Sequence, residues 1–317
     1  MELIRGLHNL RPCHLGSVAT IGNFDGVHLG HQAVLGQLAE KGAELGLPTV
    51  VITFEPQPQE YFARGAIPPR LTRLREKVRV LLRFSVDRVL CLRFNDRLAA
   101  MSAQQFVQRI LVEGLGIRYL VVGDDFHFGH DRAGDFAFLQ QQGAQHGFEV
   151  AHMHSFNIDG ARVSSTRIRE ALARGDMEGA EALLGRPYRM CGRVAHGDKR
   201  GRTIGFPTAN IFLHRKVAPI EGVFAVQMFG LDGEPVNGVA NIGSRPTVDG
   251  TRTLLEVHLF DFSADIYGRH VQVDFLHKIR CERRFESFEA LKQQILLDEQ
   301  QARSFFSAAA SADTTVA

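Results

Sequence analysis

Short apolar runs alternate with longer amphipathic segments, and this alternation constrains the fold of the first half of the chain most strongly. Five runs rich in β-branched or apolar residues lie at positions 17–22, 48–54, 87–94, 118–123 and 148–154. Between them, segments such as 28–45 and 102–113 carry apolar residues at spacings of three and four, as amphipathic helices do. Because strands that alternate with helices build βα units, the pattern predicts an α/β domain around a parallel sheet.

The pattern changes near residue 185. Glycine-punctuated strands follow, predicted at 188–196, 222–229, 236–242, 254–262 and 271–280, with one final helix at 287–305. We expect a small antiparallel β-barrel, because a closed barrel has no open edges, and we expect the helix to cover it. The 317 residues suit two domains. We assign 1–185 and 186–306 to them and expect the small-residue tail 307–317 to be disordered.

Composition excludes several classes of protein. The 37 Lys and Arg residues nearly balance 35 Asp and Glu residues, which argues against a strongly basic nucleic-acid-binding protein or a polybasic membrane anchor. The four cysteines, Cys13, Cys91, Cys191 and Cys281, form no C-x-x-C pair, so neither a zinc ribbon nor a dithiol redox site is expected. No secretory signal and no apolar run near 18 residues occurs, and a cytoplasmic location is predicted.

A glycine-rich turn at 20–31 joins the first of these runs to the first helix. The unpaired N–H groups and positive dipole end of a helix start attract phosphate. His28 and His31 lie on one face of that first turn, and Gly30 leaves room for a nucleotide. The same H-x-G-H spacing recurs at 127–130 without an amphipathic helix after it, so we assign phosphate binding to the first pair. A zinc site there lacks a third ligand at a familiar spacing.

Two further segments contain groups that bind anions or metals. Residues 164–169 (SSTRIR) either cap a helix or, with Arg169, form a second anion-binding corner in the first domain. Residues 192–210 contain four glycines and five basic side chains, which fit either a phosphate-binding loop or a flexible basic hairpin. Thr208 and Asn210 offer the hard oxygen ligands that Mg²⁺ prefers. Glu256 interrupts an apolar strand, and a solvent-facing glutamate is its simplest interpretation.

The motifs of the first half are similar to those of a known family. Segments 22–31 (GNFDGVHLGH), 54–58 (FEPQP), 123–129 (GDDFHFG) and 164–169 resemble the FMN adenylyltransferase module of prokaryotic bifunctional riboflavin kinase/FMN adenylyltransferases, or FAD synthetases. The resemblance implies a Rossmann-like nucleotidyltransferase domain that adenylates FMN with ATP to give FAD and pyrophosphate.

The same resemblance implies the residues of that site, with His28 and His31 acting on the ATP phosphates. The implied ATP-binding set is Gly22, Phe24, Asp25, Gly26, His28, Gly30, His31, Ser165, Thr166 and Arg169. The implied flavin-binding set is Phe54, Pro56, Pro58, Asp125 and Phe128. Gln57 and His127 stand where the family usually has histidine and arginine, and we expect these departures to affect FMN affinity more than the reaction.

The second half resembles riboflavin kinase over nearly its whole length, through the segments 197–210 (GDKRGRTIGFPTAN), 221–226 (EGVFAV), 238–248 (GVANIGSRPTV), 256–262 (EVHLFDF) and 265–268 (DIYG). The resemblance implies Mg²⁺ on Thr208 and Asn210, and Glu256 as the base that deprotonates the riboflavin 5′-hydroxyl. The implied ATP-binding set is Gly197, Lys199, Gly201, Gly205, Phe206, Thr208 and Asn210.

Two alternative interpretations remain open from the residues alone. A different adenylyl- or cytidylyltransferase, for example one acting on pantetheine phosphate, explains the histidine pair but leaves Asn210 and Glu256 unexplained. A nucleic-acid-binding protein finds support in the basic segment 70–83, although a solvated helix face is a simpler account of that segment. We therefore expect flavins and ATP as partners, with neither nucleic acid nor membrane, while the oligomeric state is open.

Overall fold

The structure is a computed structural model that describes residues 1–153, 156–196, 206–215, 217–247 and 250–314. By their internal contacts, the residues form two units. The first comprises Met1–Pro68 and Thr72–Ser164, and the second comprises Pro69–Leu71 and Ser165–Ala317.

A six-stranded sheet forms the centre of the first unit, in the order β1-β4-β3-β2-β5-β6, and all its neighbouring strands are parallel. Its strands are β1 (Glu2–Arg5), β2 (Ser17–Ile21), β3 (Thr49–Glu55), β4 (Arg88–Arg93), β5 (Ile117–Gly123) and β6 (Glu149–Met153). The predicted α/β fold is confirmed. The edge strand β1 was missed, because it has four residues with charged ends and only Ile4 among them is buried.

Helices cover both faces of this sheet. They are α1 (Leu29–Leu45), α2 (Pro58–Phe62), α3 (Leu74–Leu81), α4 (Asp96–Ala99), α5 (Ala103–Phe106) and α6 (Phe136–His146). Single 3₁₀ turns lie at Leu7–Asn9, Pro12–His14, Leu82–Phe84 and His130–Arg132, and a short hairpin pairs β7 (Asn157–Ile158) with β8 (Ala161–Arg162). The helix predicted at residues 102–113 is present, but its pitch changes, because α5 continues as a π-helix over Val107–Val112.

Alternating strand residues supply two separate apolar cores. Ala19 and Ile52 pack into the core on one face of the sheet, and Val18 and Val51 pack into the core on the other. Because both faces are covered, the central strands are almost entirely buried and consist mostly of apolar residues, which is why they were easy to recognise in the sequence.

A closed antiparallel barrel dominates the second unit, with strand order β10-β13-β12-β11-β14-β9. Two helices precede it, α7 (Ser165–Arg174) and α8 (Met177–Leu184), and α9 (Phe288–Thr314) follows it. The strands are β9 (Tyr188–Ala195), β10 (Ala209–Phe212), β11 (Gly222–Phe229), β12 (Val236–Thr247), β13 (Gly250–Leu259) and β14 (His270–Arg280). The predicted barrel and its covering helix are confirmed, whereas the short strand β10 was missed.

Two boundaries differ from the expected ones. Helices α7 and α8 belong to the second unit by their contacts, although the sequence pattern placed them before a boundary at 185; the domain assignment itself stays a prediction. The tail expected to be disordered from residue 307 is helical as far as Thr314, because its alanines favour helix. Residues 315–317 lie outside the described residues.

All four cysteines are free thiols; Cys91 and Cys191 are buried, and Cys13 and Cys281 are exposed. Within the described ranges, none of the helices combines the length and the apolar character needed to cross a bilayer.

Two helical glycines provide a test of this packing. We expect Gly143→Ala in α6 to destabilise the first unit by about 1–3 kcal/mol, because the added Cβ would collide with the Phe148 carbonyl oxygen and lie 3.2 Å from Val150. The matched control is Gly36→Ala in α1, where no described atom lies within 4 Å, and it should stabilise the unit by roughly 0.5–1 kcal/mol. Urea unfolding followed by circular dichroism measures both changes, and two shifts of the same sign would contradict this packing.

Candidate active sites

The first candidate site is the turn between β2 and α1, which adopts an unfavourable backbone conformation. Phe24 and Val27 have positive φ angles of 48° and 44°, a left-handed conformation that β-branched valine rarely adopts. Both side chains are buried in the core beside the sheet. Burial of these two side chains therefore holds the turn in a shape that its residues do not prefer.

A buried carboxylate ties this turn to the segment before α3. Asp25 Oδ1 accepts hydrogen bonds from Thr72 N at 2.9 Å and from Thr72 Oγ1 at 3.2 Å. Gly26 N donates to Thr72 Oγ1 at 2.9 Å. The side chain of Asp25, predicted to lie in the ATP site, therefore stabilises the turn through its hydrogen bonds with Thr72.

The turn ends at the predicted histidine pair, and the structure brings the two rings together. His28 caps α1 because its Nδ1 accepts the His31 backbone N–H at 3.3 Å. The rings stack with centroids 3.6 Å apart, and the His31 ring lies 4.9 Å from that of Phe24. A Cβ on Gly30 would lie 3.3 Å from two atoms of the His28 ring, so this glycine makes room for the imidazole.

A cavity of about 390 Å³ in the same unit has a predominantly aromatic lining. Its lining includes Phe54, Pro58, Tyr61, Phe62, Phe94, Phe106, Phe126 and Phe128. Of the predicted flavin-binding residues, Phe54, Pro58 and Phe128 line it, whereas Pro56 and Asp125 do not. The other aromatic residues were missed, although one signal was available: Phe54, Phe94 and Phe126 all lie where a parallel strand ends, and such ends meet at one edge of the sheet.

Two side-chain hydrogen bonds position polar groups at and near this cavity. The Tyr61 hydroxyl donates to the Asp96 carboxylate, and this hydrogen bond raises the pKa of Tyr61. Arg162 Nη2 donates to Asp125 Oδ1 at 2.8 Å, and that bond lowers the pKa of Asp125, so its carboxylate stays charged at lower pH than usual. Asp125 thus forms an ion pair instead of lining the cavity.

The two residues that depart from the family occupy different surroundings. His127 lines the cavity, and its Nδ1 lies 3.1 Å from the Asp125 carbonyl oxygen. Gln57 is buried at the start of α2, where its backbone N–H donates to Glu60 Oε2 at 2.9 Å, and it is not among the lining residues. Of the two, only His127 is placed to meet a ligand in this cavity.

The predicted second anion-binding corner lies at the start of α7. The helix begins at Ser165, Thr166 is exposed in its first turn, and Arg169 Nε donates to the Pro69 carbonyl at 2.7 Å. These residues belong to the second unit. That they bind the same nucleotide as the turn between β2 and α1, called the histidine turn below (residues 22–31), stays a prediction.

The second candidate site lies on the barrel, where strand register places Glu256 between two asparagines. Asn210 on β10 and Asn241 on β12 both lie directly opposite Glu256 on β13. Leu255 and Val257 are fully buried while Glu256 is half-buried, so the carboxylate is on the outer face of the barrel. Cβ atoms of such opposed residues are about 4.5–5.5 Å apart, which puts all three polar side chains within reach of one another.

Glu256 lines a cavity of about 410 Å³. Its polar lining includes Thr208, Asn241, Glu256, His258, Arg280 and Asp298. Its apolar lining includes Phe206, Val223, Val239, Phe285, Phe288, Leu291 and Ile295, of which the last three belong to α9. An apolar cavity with a few polar groups is the usual form of a small-molecule site.

The donor set at this site fits the predicted ion. Thr208 precedes β10 and Asn210 is its second residue, a spacing that puts two side chains on one face of an extended chain; Thr208 lines the cavity, and Asn210 lies opposite Glu256. Mg²⁺ takes few protein ligands and shares its shell with water and phosphate oxygens, a requirement these two side chains meet. Across the ranges that can be described, no three His, Cys, Asp or Glu side chains cluster as metal ligands. Gly197, Lys199, Gly201 and Gly205 lie outside the described residues.

One ion pair fixes α9 against the barrel at this cavity. Arg280 Nε and Nη2 donate to the two carboxylate oxygens of Asp298 at 2.9 and 2.7 Å. The side chains are only 19% and 4% exposed, and Gln294 Nε2 donates to the same carboxylate at 2.7 Å. The wall that α9 contributes is therefore anchored by a largely buried, bidentate contact.

Two family models match the chain, one described as FAD synthetase over residues 10–167 and one described as riboflavin kinase over residues 184–306. Bifunctional riboflavin kinase/FMN adenylyltransferases of Escherichia coli strain K12 and Pseudomonas fluorescens are each 54% identical to it. Each alignment covers 96% of this chain, and 98% and 97% of those relatives respectively.

A solved structure, titled a macrolide-efflux protein from Streptococcus pneumoniae, matches with a TM-score of 0.82 and 32% identity. The match covers 96% of this chain and 99% of that one. That name describes the other protein, and the match shows that this chain shares its fold.

The ion pair on α9 has a matched, solvent-exposed counterpart in the same unit. We expect Asp298→Ala to lower the free energy of unfolding by about 2–3 kcal/mol, because it leaves the Arg280 guanidinium largely buried without its counter-ion. Asp232→Ala breaks the exposed pair with Arg269 and should leave stability nearly unchanged, because water screens that pair. Urea unfolding measures both, and equal effects would show that burial of the first pair is not what stabilises α9.

Proposed function

Because this chain belongs to the family of bifunctional riboflavin kinase/FMN adenylyltransferases, we propose how its residues divide between two ATP-dependent reactions. The enzyme phosphorylates riboflavin to FMN and adenylates FMN to FAD. The FAD synthetase model covers the half with the histidine turn, and the riboflavin kinase model covers the half with Glu256. The observation that supports the division is that each half contains its own cavity, with the predicted residues of each site in or beside it.

In adenylyl transfer, a phosphate oxygen of FMN attacks the α-phosphorus of ATP, and the bond to the bridging oxygen breaks to release pyrophosphate. His28, His31 and the first N–H groups of α1 bind the ATP phosphates in this proposal. The Nδ1 of His28 accepts a hydrogen bond, so in the neutral ring the proton is on Nε2, which can donate to a phosphate oxygen. The rate increases because the reacting groups are held in position and because hydrogen-bond donors stabilise the negative charge that develops in the transition state.

The FMN ring system occupies the aromatic cavity, where Phe54, Phe94 and Phe128 offer faces and edges for stacking. His127 is the lining residue that can tune affinity, in keeping with its departure from the family pattern. Asp125 and Pro56 act on the shape of the surrounding loops, since neither lines the cavity.

In riboflavin phosphorylation, the 5′-hydroxyl oxygen attacks the γ-phosphorus of ATP and ADP leaves. Glu256 accepts the hydroxyl proton as the new bond forms, while Asn210 and Asn241 flank and orient its carboxylate. Thr208 and Asn210 would hold Mg²⁺, which when bound neutralises charge on the nucleotide phosphates. The apolar wall from α9 and the barrel receives the flavin ring. A cytoplasmic location stays a prediction.

The role of His28 predicts that the two activities can be separated. Incubated with riboflavin, ATP and Mg²⁺, His28→Ala should form FMN at the wild-type rate, and its FMN adenylylation should fall by about 10²–10³-fold, because a fixed donor to phosphate is lost. Chromatography of FMN and FAD measures both products. His146→Ala, on an exposed histidine of α6, is the control and should make both. Undiminished FAD formation by His28→Ala would remove this histidine from the mechanism.

The role of Glu256 predicts the converse separation. Glu256→Ala should lower the rate of riboflavin phosphorylation by about 10²–10⁴-fold through loss of the general base, while FMN supplied directly is still converted to FAD. Glu221→Ala, at an exposed glutamate of the same unit, should leave both rates unchanged. Retained kinase activity in Glu256→Ala would require another base, and a wild-type protein that makes neither product would contradict the division as a whole.

A further inference from the structure

Lys77 is a buried cation for which the two reactions above have no use. The sequence places it in a basic segment that reads as a solvated helix face, yet it is 1% exposed and among the largest fully buried side chains. Taking an ammonium group out of water is strongly unfavourable unless hydrogen bonds compensate. Its acceptors therefore indicate what it stabilises.

One acceptor lies in the turn that ends at His28, and a second lies on the neighbouring strand β3. Lys77 Nζ donates to the backbone carbonyl of Asn23 and lies 3.5 Å from Thr53 Oγ1. Thr53 Oγ1 donates to the same carbonyl at 3.4 Å. The Asn23 carbonyl thus receives two side-chain donors, one of them cationic, and charge-assisted hydrogen bonds are roughly twice as strong as neutral ones.

This carbonyl controls the direction of the peptide that enters the left-handed part of the turn. A trans peptide is planar, so fixing the Asn23 C=O toward Lys77 points the Phe24 N–H the opposite way. Phe24 and Val27 occupy left-handed conformations that are unfavourable for their side chains and persist only where neighbours enforce them. Without the tie at Asn23, the 23–24 peptide is free to rotate, and the turn that ends at His28 loses one of its anchors.

We propose that Lys77 is a positioning residue for adenylyl transfer, which holds the Asn23 carbonyl and thereby the turn that presents His28. The proposal rests on the adenylyltransferase assignment of the first half. It predicts an effect on the chemical step, because a displacement of about 1 Å in a phosphate-binding group can lower a rate 10²-fold. The affinity for FMN is less affected, because the aromatic cavity proposed for FMN is lined by other segments.

The test is Lys77→Met, which keeps the length of the side chain and removes its donors. With FMN and ATP, kcat should fall about 10–100-fold, while the KM for FMN changes by less than about threefold. Riboflavin kinase activity, measured on the same preparation, should equal that of the wild type, and the nearly unchanged KM for FMN reports that the first unit, which contains Lys77, is folded. Lys41→Met is the matched control, since Lys41 lies on α1 in the same unit and pairs with Glu44 at the surface; it should change neither activity.

A second variant keeps the proposal testable if Lys77→Met does not fold. Thr53→Val removes the neutral donor to the Asn23 carbonyl with little change in volume, and it should lower the adenylylation kcat about 3–10-fold. Where both variants fold, the double variant should lose less than the product of the single losses, because both donors act on one carbonyl.

Three outcomes would overturn the inference. The first is a wild-type adenylylation kcat in Lys77→Met or, where that variant does not fold, in Thr53→Val. The second is a rise in the KM for FMN with kcat unchanged. The third is a loss of kinase activity, parallel to the loss of adenylylation, in a protein that is still soluble. A wild-type enzyme that forms no FAD would instead overturn the proposed function itself, so the two failures are distinguishable.

Discussion

The first site depends on a turn that folds against the preference of its own residues. Left-handed conformations at Phe24 and Val27 are maintained because both side chains are buried in the sheet's core and because Asp25 and Asn23 are tied to Thr72 and Lys77. Strain of this kind is stable only when several contacts enforce it. The result is that α1 begins with His28 as its cap, its ring fixed by the His31 N–H. A turn with ordinary backbone angles at Phe24 and Val27 would be less strained, but it would not place His28 as the cap of α1.

The second site depends on register instead of strain. Side chains alternate between the two faces of β13, so Leu255 and Val257 fill the barrel while Glu256 faces outward. A slip of one residue would bury the carboxylate and expose its apolar neighbours, a cost that fixes the register. Closure of the barrel then puts β10 and β12 on either side of β13, and an asparagine from each lies opposite Glu256.

Sequence reasoning succeeded where a pattern repeats and failed where a single tertiary contact decides. The buried parallel strands and the barrel strands were recognisable from their periodicity. Strand β10 was not, because its four residues follow a proline-containing loop and become a strand only by pairing with β9 and β13. Lys77 looked solvated because half of its neighbours in sequence are charged, and its hydrogen bond to the Asn23 carbonyl, 54 residues away, is a tertiary contact with no sequence signal. Asp25 was correctly placed at the turn, but its bond to Thr72 has no sequence signal.

The difference between the two nucleophiles explains why the proposed sites are built so differently. A phosphate monoester has its second pKa near 6, so the FMN phosphate is already largely dianionic at neutral pH and needs no base. The carboxylate of the histidine turn, Asp25, is accordingly buried and used to hold Thr72. The riboflavin hydroxyl must lose a proton as it attacks, so its site requires an accessible acceptor, and Glu256 lines the cavity of the second unit. Under the proposed division, the first unit contributes a set of donors at a helix start and the second adds a base, because the protonation state of the attacking oxygen determines which is needed.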